Sequence, residues 1–533
     1  MPDGFGRRRG AGFSIAAALT IALVAVEIAV LIIYRETWVD EFFSAFKGYL
    51  VLTGELVPYR NGIFDYPPLV IPTYGLVHYL FGPNFYAARI LSAVFFSAMA
   101  VFLFLTGRRL GGRWAGLGAV ALVASNLLVV GNFVSATMYA LAGFLLVLVV
   151  WVEASVLSER KKTILASVLL ALAFLARTNM IVAFLAYVGW LVLMRVSPRR
   201  IASAVGVWSV VAALGYLSIF WFNPALAFAH FFIVFGSVGP LAWLPPSLKV
   251  GGAGIGMFLE VFAKTVKEYY GFLLLFSVSA ALVLWERRTS VLVFLRAERA
   301  YALALILSAA FFITHYGYPR IVGNVGYATY FIALMALVST TAMARFLGPR
   351  RVWAALFAGV AILNLSANLY RTDVISHPGD ESDFSRVERG AALLRAHTEK
   401  NDRILTFDNS LVHVFLADRR TFFPLMSRDF LYIANADTEK VRASGYYNLE
   451  MLKSWALTDA DFLALHKEKW NESFIRRPFF GAGNEETQKQ FAEIRSIFSR
   501  NYELVASAFN VYPRKYTEGN DGGTLELYRR IPR

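Results

Sequence analysis

The sequence contains no cysteine, which excludes disulfide bridges and thiolate metal sites. Charged residues are also scarce, at 17% of the chain against about 25% in a typical soluble domain. The GxGxxG, P-loop, HExxH and GxSxG patterns are all missing. These absences leave no motif for a dinucleotide cofactor, an NTPase, a zinc peptidase or a serine hydrolase.

Hydrophobic residues make up 57% of the 533 residues, and they gather into long runs. Many runs approach roughly 20 residues, the length that crosses the hydrocarbon core of a bilayer. We therefore predict a polytopic α-helical membrane protein with about eleven transmembrane helices. The predicted spans are 13–34, 87–106, 114–130, 135–152, 164–176, 180–194, 201–222, 270–285, 301–314, 327–346 and 352–370.

The formal net charge of +15 follows a pattern along the chain. Lysine and arginine cluster in every second loop, which is typical of cytoplasmic loops. The clusters lie at 7–9, 108–113, 160–162, 195–200, 287–299 and 345–351. The pattern predicts a cytoplasmic N-terminus, with large loops 35–86 and 223–269 outside. No soluble basic patch with interleaved aromatics is present, so no nucleic-acid partner is expected.

The composition changes after residue 370, where the chain becomes polar and mixed in charge. Buried-strand patterns occur at 403–407, 461–466 and 524–528, and a helical pattern occurs at 485–499. Strands that alternate with helices predict a small α/β domain. We expect a transmembrane domain over 1–370 and an extracytoplasmic C-terminal α/β domain over 371–533.

An acidic pair, Asp40 and Glu41, lies a few residues after the first apolar run. One interpretation is a helix N-cap, because a carboxylate there accepts hydrogen bonds from the free N–H groups of a helix at 42–53. The other is a general base at the membrane surface, where partial burial and nearby charge set the pKa of the carboxylate. Ionisable groups at such a position are functional candidates by default.

The order of residues after the acidic pair resembles a known family. Gly54 precedes Pro58-Tyr59, a Tyr66-Pro67-Pro68-Leu69 segment follows, and Ala88-Arg89 opens the second predicted span. This string is similar to the first extracytoplasmic loop of GT-C glycosyltransferases. The most similar branch includes the protein O-mannosyltransferases and the lipid A aminoarabinose transferase. The resemblance extends more loosely to the whole architecture.

The resemblance implies an inverting glycosyltransferase of the plasma (inner) membrane. Its donor would be a hexose or pentose on a polyprenyl phosphate, and its acceptor the hydroxyl of an extracytoplasmic glycan, lipid or protein. Asp40 would act as general base, and Glu41 would lie beside it. The substrate loop would contain Tyr59, Asp65, Tyr66 and Pro67.

The leaving phosphate is already charged at neutral pH, so cations rather than a strong acid should hold it. Arg89, Arg177 and Arg320 lie on the predicted outer side and break the positive-inside pattern. His315 and Tyr316 precede Arg320 and belong to the same predicted donor site. The alternative for each arginine is that its side chain reaches outward to lipid headgroups.

The resemblance fails at one position. Relatives often carry an acid near the outer ends of the third and fourth spans, whereas residues 131–139 read GNFVSATMY here. A divalent ion usually needs several hard oxygen ligands. We therefore expect no required cofactor and no fixed metal site, although a loosely held divalent ion stays compatible with Asp40, Glu41 and Asp65.

Two rival functions remain open. A transporter or flippase for lipid-linked sugars predicts two hydropathy-related halves with interrupted helices. An O-antigen ligase or polymerase would also use a prenyl-linked donor outside the cytoplasm. Its donor would be a pyrophosphate-linked oligosaccharide, and its sequence normally lacks an early Asp-Glu loop followed by Pro-Pro-Leu.

Overall fold

The computed structural model shows two compact units that interleave along the chain. The first comprises Met1–Ile32, Arg89–Tyr216 and Gly252–Val374, and the second comprises Ile33–Ala88, Leu217–Gly251 and Ile375–Arg533. The residues that the structure describes are 4–35, 39–64, 66–231, 255–286, 291–317, 329–346, 364, 381–406, 410–426, 432–433, 436–468, 484–513 and 522–532. The last predicted span, 352–370, lies outside them except for residue 364.

Helices account for most of the described chain before residue 350. In chain order they are α1 (Gly4–Tyr34), α2 (Val39–Leu52), α3 (Leu76–Phe81), α4 (Phe85–Gly111), α5 (Arg113–Ala124), α6 (Leu127–Val134), α7 (Tyr139–Ala154), α8 (Glu159–Ala176), α9 (Ile181–Leu193), α10 (Pro198–Phe220), α11 (Pro224–Phe231), α12 (Ile255–Glu286), α13 (Val291–Ala297), α14 (Arg299–Gly317) and α15 (Thr329–Phe346). A 3₁₀ turn (Pro68–Val70) and a π turn (Ile71–Gly75) lead into α3, and a 3₁₀ turn (Thr178–Met180) leads into α9.

Three helices in the described part are long and apolar enough to cross a membrane. They span Gly12–Tyr34, Phe85–Gly111 and Pro198–Phe220. Shorter apolar helices lie at Pro68–Phe81, Tyr139–Ala154, Thr178–Leu193, Tyr269–Trp285, Arg299–Thr314 and Thr329–Arg345. The helical, apolar character of the prediction is thus confirmed, and the count of eleven spans with a cytoplasmic N-terminus stays a prediction.

The predicted span 114–130 is not one straight helix, because the structure divides it into α5 and α6 with an 82° bend. The break falls at Ser125 and Asn126. The Asn126 side chain accepts a hydrogen bond from the Val129 backbone N–H at 3.1 Å, which caps the new helix. Asn364 donates to the Ser125 hydroxyl at 3.0 Å. Counted as one bent span, the pair would make a fourth membrane-crossing segment.

Helix α15 lies at the centre of the first unit. Its residues from Tyr330 to Val338 are at most 1% exposed. It packs against α5, α7, α12 and α14. A helix that is apolar on every side is covered by protein or by lipid, and protein covers α15, so this helix forms the core of the first unit.

A charged cluster joins the ends of three helices of the first unit. The Glu159 carboxylate lies 3.0 Å from Lys162 Nζ, 3.0 Å from Arg200 Nη1 and 2.8 Å from Arg299 Nη1. These residues belong to α8, α10 and α14. Some of the basic residues that predicted cytoplasmic loops, among them Arg200 and Arg299, therefore also form salt bridges between helix ends.

Helix α12 begins well inside the predicted outer loop 223–269. A helical segment starts at Ile255 and ends in a kink at Tyr269, whose torsion angles are non-helical (φ −127°, ψ 21°). The apolar helix beyond the kink, Tyr269–Trp285, confirms the helix predicted at 270–285. The segment before the kink is helical as well, which the prediction of a loop over 223–269 did not include.

The C-terminal part of the second unit contains a four-stranded mixed sheet. Its elements are α16 (Asp383–His397), β1 (Ile404–Thr406), α17 (Leu411–Leu416), α18 (Thr438–Ala443), α19 (Leu449–Ser454), β2 (Phe462–His466), α20 (Asn484–Asn501), β3 (Tyr502–Phe509) and β4 (Thr524–Arg530). The strand order is β1-β2-β4-β3. Strands β1 and β2 are parallel, with Leu405 opposite Leu463, and the other pairs are antiparallel.

Helix α2, from the predicted first loop, packs against this C-terminal part within the second unit. The Phe46 and Phe415 ring centroids are 4.3 Å apart. The Tyr49 hydroxyl lies 3.3 Å from Asp418 Oδ1, to which it donates a hydrogen bond. The helix that begins with the acidic pair is thereby fixed to α17.

Candidate functional site

The acidic pair lies in the first turn of α2, which begins at Val39. The backbone of Asp40 is helical, and its side chain lies outside the described residues, as does the whole of Asp65. The structure therefore fixes the backbone position of the proposed base.

Glu41 is buried in an ion pair. Its Oε1 atom lies 3.5 Å from Nη1 of Arg35, and the two side chains are 1% and 3% exposed. Charges this deep are stable only when they compensate each other, because each loses its hydration. The pair shows that the start of α2 is buried inside the second unit, unlike an exposed helix cap.

A second buried cation, Lys47, lies further along α2. It is 1% exposed, and its Nζ atom is 5.6 Å from the centroid of the Tyr66 ring. Lys47 follows Asp40 by seven residues, which places both on one helix face. The sequence reasoning missed Arg35 and Lys47. The helical spacing offered a signal for Lys47, and the burial of Arg35 depends on tertiary packing.

Two glycines bring α2 against the segment that contains the Pro-Pro-Leu sequence. A Cβ atom added to Gly75 would lie 2.5 Å from the backbone carbon of Gly48. The two backbones therefore touch, and no side chain fits between them. This contact fixes α2 against the π turn that follows Leu69.

The predicted substrate loop forms a rigid turn in the second unit. Tyr59 has a φ of +59°, its N–H donates to the Gly62 carbonyl at 2.8 Å, and its hydroxyl donates to the Phe64 carbonyl at 2.8 Å. Pro67 precedes the 3₁₀ turn with extended torsion angles. Tyr66 lies beside Lys47, and the loop thus meets the helix of the acidic pair.

Arg89 is fully buried in the first unit. Its Nη1 atom donates to the carbonyl oxygens of Leu31 and Ile32 at 3.3 and 3.2 Å, near the end of α1. A guanidinium at a helix C-terminus stabilises the free carbonyls there. This geometry excludes the alternative in which the side chain reaches outward to headgroups.

Arg177 lies against two tyrosine rings at the end of α8. Its Cζ atom is 4.4 Å from the Tyr139 ring centroid and 5.8 Å from that of Tyr330. The two rings are stacked, with centroids 5.2 Å apart. A guanidinium over aromatic faces is held in place by the ring quadrupoles. A guanidinium that is held in one orientation can donate two parallel hydrogen bonds to phosphate oxygens.

Neutral polar side chains lie close in sequence to Tyr139 and Tyr330, the two rings that contact Arg177. Asn132 donates to the Thr329 hydroxyl at 3.0 Å, and the Ser135 and Thr137 hydroxyls lie 3.0 Å apart. These groups occupy the stretch in which relatives often carry an acid. Among the described residues no three His, Asp or Glu side chains converge in a geometry that could hold a metal ion.

The structure describes only part of the predicted phosphate-binding segment 315–320. The backbones of His315 and Tyr316 belong to α14, and their side chains lie outside the described residues, as does Arg320. In the first unit the structure therefore describes Arg89 and Arg177, each held by its own contacts. In the second it pairs Glu41 with Arg35 and places Lys47 over the Tyr66 ring.

Comparison with known proteins gives one family match. The model of the dolichyl-phosphate-mannose-protein mannosyltransferase family PMT_2 matches residues 65–222. The matched range includes Tyr66, Pro67, Arg89 and Arg177. No curated protein sequence shows a significant match.

Solved structures with a similar fold cover nearly the whole chain. ArnT from Cupriavidus metallidurans bound to undecaprenyl phosphate is 12% identical, with a TM-score of 0.59 over 97% of both chains. The same protein in the apo state gives 13% identity and 0.60 over 98% of both. AglB from Archaeoglobus fulgidus with an inhibitory peptide and a dolichol-phosphate gives 11% and 0.51 over 91% of this chain and 72% of that one. The GT-C resemblance of the sequence is confirmed at the level of the fold.

Proposed function

We propose, from this GT-C fold, that the protein is an inverting glycosyltransferase of the membrane. It moves a monosaccharide from a polyprenyl phosphate to the hydroxyl of an extracytoplasmic glycan, lipid or protein. Asp40 is the general base, and Glu41 assists it by position. The family match over 65–222 and the similarity to proteins bound to undecaprenyl phosphate or a dolichol-phosphate support a lipid-phosphate donor.

One observation supports this function most strongly, the burial of three charged side chains on α2 and directly before it. Glu41, Arg35 and Lys47 are each at most 3% exposed. Buried charges are costly, and they concentrate where chemistry requires a low dielectric. Asp40 belongs to the same helical turn as Glu41, so its carboxylate would experience the field of these cations.

The reaction is a single displacement. The acceptor oxygen forms a bond to the anomeric carbon while the bond from that carbon to the phosphate oxygen breaks. The hydroxyl proton passes to the Asp40 carboxylate, and polyprenyl phosphate leaves with the bonding electron pair. Attack opposite to the leaving group inverts the anomeric configuration. Carboxylate general bases contribute roughly 10²–10⁴-fold to such steps.

The developing charge on the phosphate needs cations, and Arg177 is the best described candidate. Its stacking on Tyr139 and Tyr330 orients the guanidinium before the donor binds. Arg320, His315 and Tyr316 complete the proposed donor site, and Arg89 would contact the phosphate only after its guanidinium leaves the carbonyls of Leu31 and Ile32. Because these groups supply the charge, the reaction requires no metal ion, although a divalent ion could assist.

The topology that this function needs follows from the basic loops. We propose eleven spans in the plasma (inner) membrane, a cytoplasmic N-terminus and an extracytoplasmic α/β region over 371–533. The three helices in the described part that are long and apolar enough to cross a membrane support the membrane location alone. Their apolar side chains are exposed, as for Leu19 and Leu214 at 67% and 65%. Such surfaces suit lipid.

The Asp40→Asn substitution tests the proposal. The donor lipid is first identified by mass spectrometry of lipids that copurify with the full-length protein. Release of polyprenyl phosphate from that donor then gives the turnover rate. We expect Asp40→Asn to reduce turnover by about 10²–10⁴-fold and to keep donor binding, because only the proton acceptor is lost.

Asp402→Asn makes the same change of charge in a turn of the C-terminal region and serves as the matched control. It should keep wild-type turnover. If folded Asp40→Asn protein turns over like the wild type, Asp40 is a helix cap. If the wild type releases no polyprenyl phosphate from any polyprenyl-phosphate sugar, the proposed function itself is wrong.

A further inference from the structure

The second unit contains a cavity of about 560 Å³ whose lining does not include the buried charges at the start of α2. Its lining comes from residues 46–63 of the first loop, from Leu226 and from residues 403–455 of the C-terminal part. Arg35, Glu41 and Lys47 are not among the lining residues. The volume lies within the range of roughly 300–1,000 Å³ that is typical of small-ligand sites.

The lining is strongly basic. Among the described residues a single carboxylate, that of Glu55, faces five arginines. The five are Arg60, Arg403, Arg419, Arg420 and Arg442. So much unbalanced charge raises the potential inside a concave surface and attracts anions.

Two of the five arginines are bound within the protein. The Arg419 guanidinium donates to the Thr398 carbonyl and hydroxyl oxygens, both at 2.8 Å. The Arg420 Nε atom lies 3.8 Å from Glu55 Oε2. Their charges therefore hold the wall of the cavity together.

The other three arginines, Arg60, Arg403 and Arg442, are exposed. In the part of the chain that the structure describes, none of them forms a salt bridge. Arg403 lies over the Phe422 ring with its Cζ atom 5.9 Å from the centroid, and Arg60 lies over Phe222 at 5.6 Å. Stacking restricts a guanidinium and leaves its edge N–H groups to bind a carboxylate or phosphate.

Aromatic and aliphatic side chains form the rest of the wall. The Phe422 and Trp455 rings are stacked on each other, with centroids 4.7 Å apart and planes at 22°. Phe422 is 8% exposed and also contacts Arg403, so it serves to hold that guanidinium, whereas Trp455 is only half-buried. Gly445 has a φ of +74°, and a Cβ atom there would lie 2.5 Å from Ile63 Cγ1. The glycine therefore permits close contact between the first loop and the C-terminal part. The half-buried Trp455 beside oriented cations suits a sugar ring that carries an acidic group.

We propose that this cavity binds an anionic saccharide, a sugar that carries carboxylate or phosphate groups, as part of the acceptor. Arg403 and Arg442 bind the acidic group, Trp455 packs against the ring, and Phe422 holds the Arg403 guanidinium in place. The role as acceptor rests on the proposed function, whereas the binding of an anionic saccharide does not.

The position of the cavity along α2 determines the shape of such an acceptor. Glu41 lies at the start of α2, and the cavity-lining residues Phe46 and Leu50 lie further along the same helix. At 1.5 Å per residue they are about 7 and 13 Å beyond Glu41. An acceptor whose hydroxyl reacts beside the acidic pair must therefore extend over more than one sugar to reach the cavity.

Saccharide binding to the full-length protein, without donor, tests the assignment. The probes are trigalacturonate, phosphorylated maltotriose, neutral maltotriose and inorganic phosphate. We expect both anionic trisaccharides to bind, and the other two probes to bind at least 10-fold more weakly. Arg403→Gln with Arg442→Gln should raise the Kd of the anionic trisaccharides by at least about 10-fold, because charge-assisted bonds are lost.

Arg500→Gln is the matched control, because Arg500 is exposed in the same unit and does not line the cavity. It should leave each Kd unchanged. If the double glutamine variant does not fold, Arg403→Lys with Arg442→Lys replaces it. This variant keeps the charge, loses the planar fork and should give an intermediate loss of affinity.

The outcomes separate the two proposals. An unchanged Kd in the double variant overturns the cavity assignment, and so does inorganic phosphate that binds as tightly as phosphorylated maltotriose. Asp40→Asn should bind the anionic trisaccharides like the wild type. If binding behaves as expected while the wild type transfers no sugar, the saccharide site stands and the glycosyltransferase proposal fails. With a transferable acceptor, the double variant should raise KM and keep kcat.

Discussion

Acidification should destabilise the C-terminal part of the second unit, because His413 is fully buried there as an uncharged ring. Its Nδ1 donates a hydrogen bond to the carbonyl oxygen of Val387 at 3.0 Å. Its Nε2 is buried, and no residue that the structure describes forms a hydrogen bond with it. Protonation would place a charge on a ring that packs against Tyr512 and lies near His466.

The size of the effect follows from the pKa. Burial lowers the pKa of His413 to about 4 from 6.5. Below pH 6.5 the unfolded chain therefore binds a proton that the folded chain does not bind until about pH 4, and folding stability falls. One pKa unit corresponds to roughly 1.4 kcal/mol. The free energy of unfolding should drop by about 2 kcal/mol between pH 7.5 and 5, and by about 3 kcal/mol in full.

Hydrogen exchange measured by mass spectrometry on the full-length protein can isolate this effect. The peptide that contains α17 reports the free energy of local opening after correction for the intrinsic exchange rate at each pH. The comparison variant is His413→Gln, whose side chain does not titrate. We expect its opening free energy to depend on pH less steeply than that of the wild type, by about 2 kcal/mol over this range.

His397→Gln provides the matched control, because His397 is exposed at the end of α16 in the same unit. It should keep the pH dependence of the wild type. If wild type and His413→Gln show equal slopes, His413 does not supply the acid sensitivity and the reasoning from its burial is refuted.

Two further predictions concern the donor site. Arg177→Lys should weaken donor binding by about 3- to 30-fold, because it removes the planar guanidinium and its stacking on two tyrosines. The control Arg199→Lys, on the exposed start of α10, should leave donor binding unchanged. Unchanged donor affinity in Arg177→Lys would exclude Arg177 from phosphate binding. Turnover should survive EDTA largely intact, because arginines supply the charge that a metal would add. Complete loss of turnover in EDTA, restored by a stoichiometric divalent ion, would make Asp40 and Glu41 the first ligands to examine.

The sheet illustrates which strands a sequence reveals. Strands β1, β2 and β4 were predicted, and two of them are short apolar runs that the fold buries entirely. Strand β3 was missed. It lies at an edge of the sheet, pairs with β4 alone, and has an irregular register between Leu504 and Ala506. Leu504 and Phe509 on this strand are 54% and 63% exposed, so burial does not impose an alternating pattern.

Helix boundaries were predictable where hydropathy changes at a helix end, and unpredictable where a side chain sets the boundary. Helix α10 begins at Pro198 and ends at Phe220, close to the predicted span 201–222. The bend after Ala124 depends on one hydrogen bond from the Val129 N–H to the Asn126 side chain, inside a run that is apolar on both sides. A hydropathy average over that run cannot resolve it.

The sequence located the acidic pair and the turn with Tyr59, because both depend on residues adjacent in the chain. It did not reveal Arg35 as the partner of Glu41, since the same arginine at a helix end is equally consistent with a membrane-surface charge. The cavity was also hidden. Arg403 and Arg442 lie more than 340 residues from Tyr59 in the sequence, and only the fold brings them to one surface.

Two groups of arginines are therefore present in this chain, exposed residues near helix ends and buried residues that are paired within the protein. Arg199 is exposed in the first turn of α10 and belongs to one of the basic clusters from which the orientation was predicted. Arg35 and Arg89 are at most 3% exposed, and each compensates a partner, a carboxylate in one case and helix carbonyls in the other. Burying a guanidinium removes its hydration, and this desolvation costs so much free energy that a protein partner must compensate the charge. Positions of this second kind are where substitutions should affect folding or catalysis most strongly.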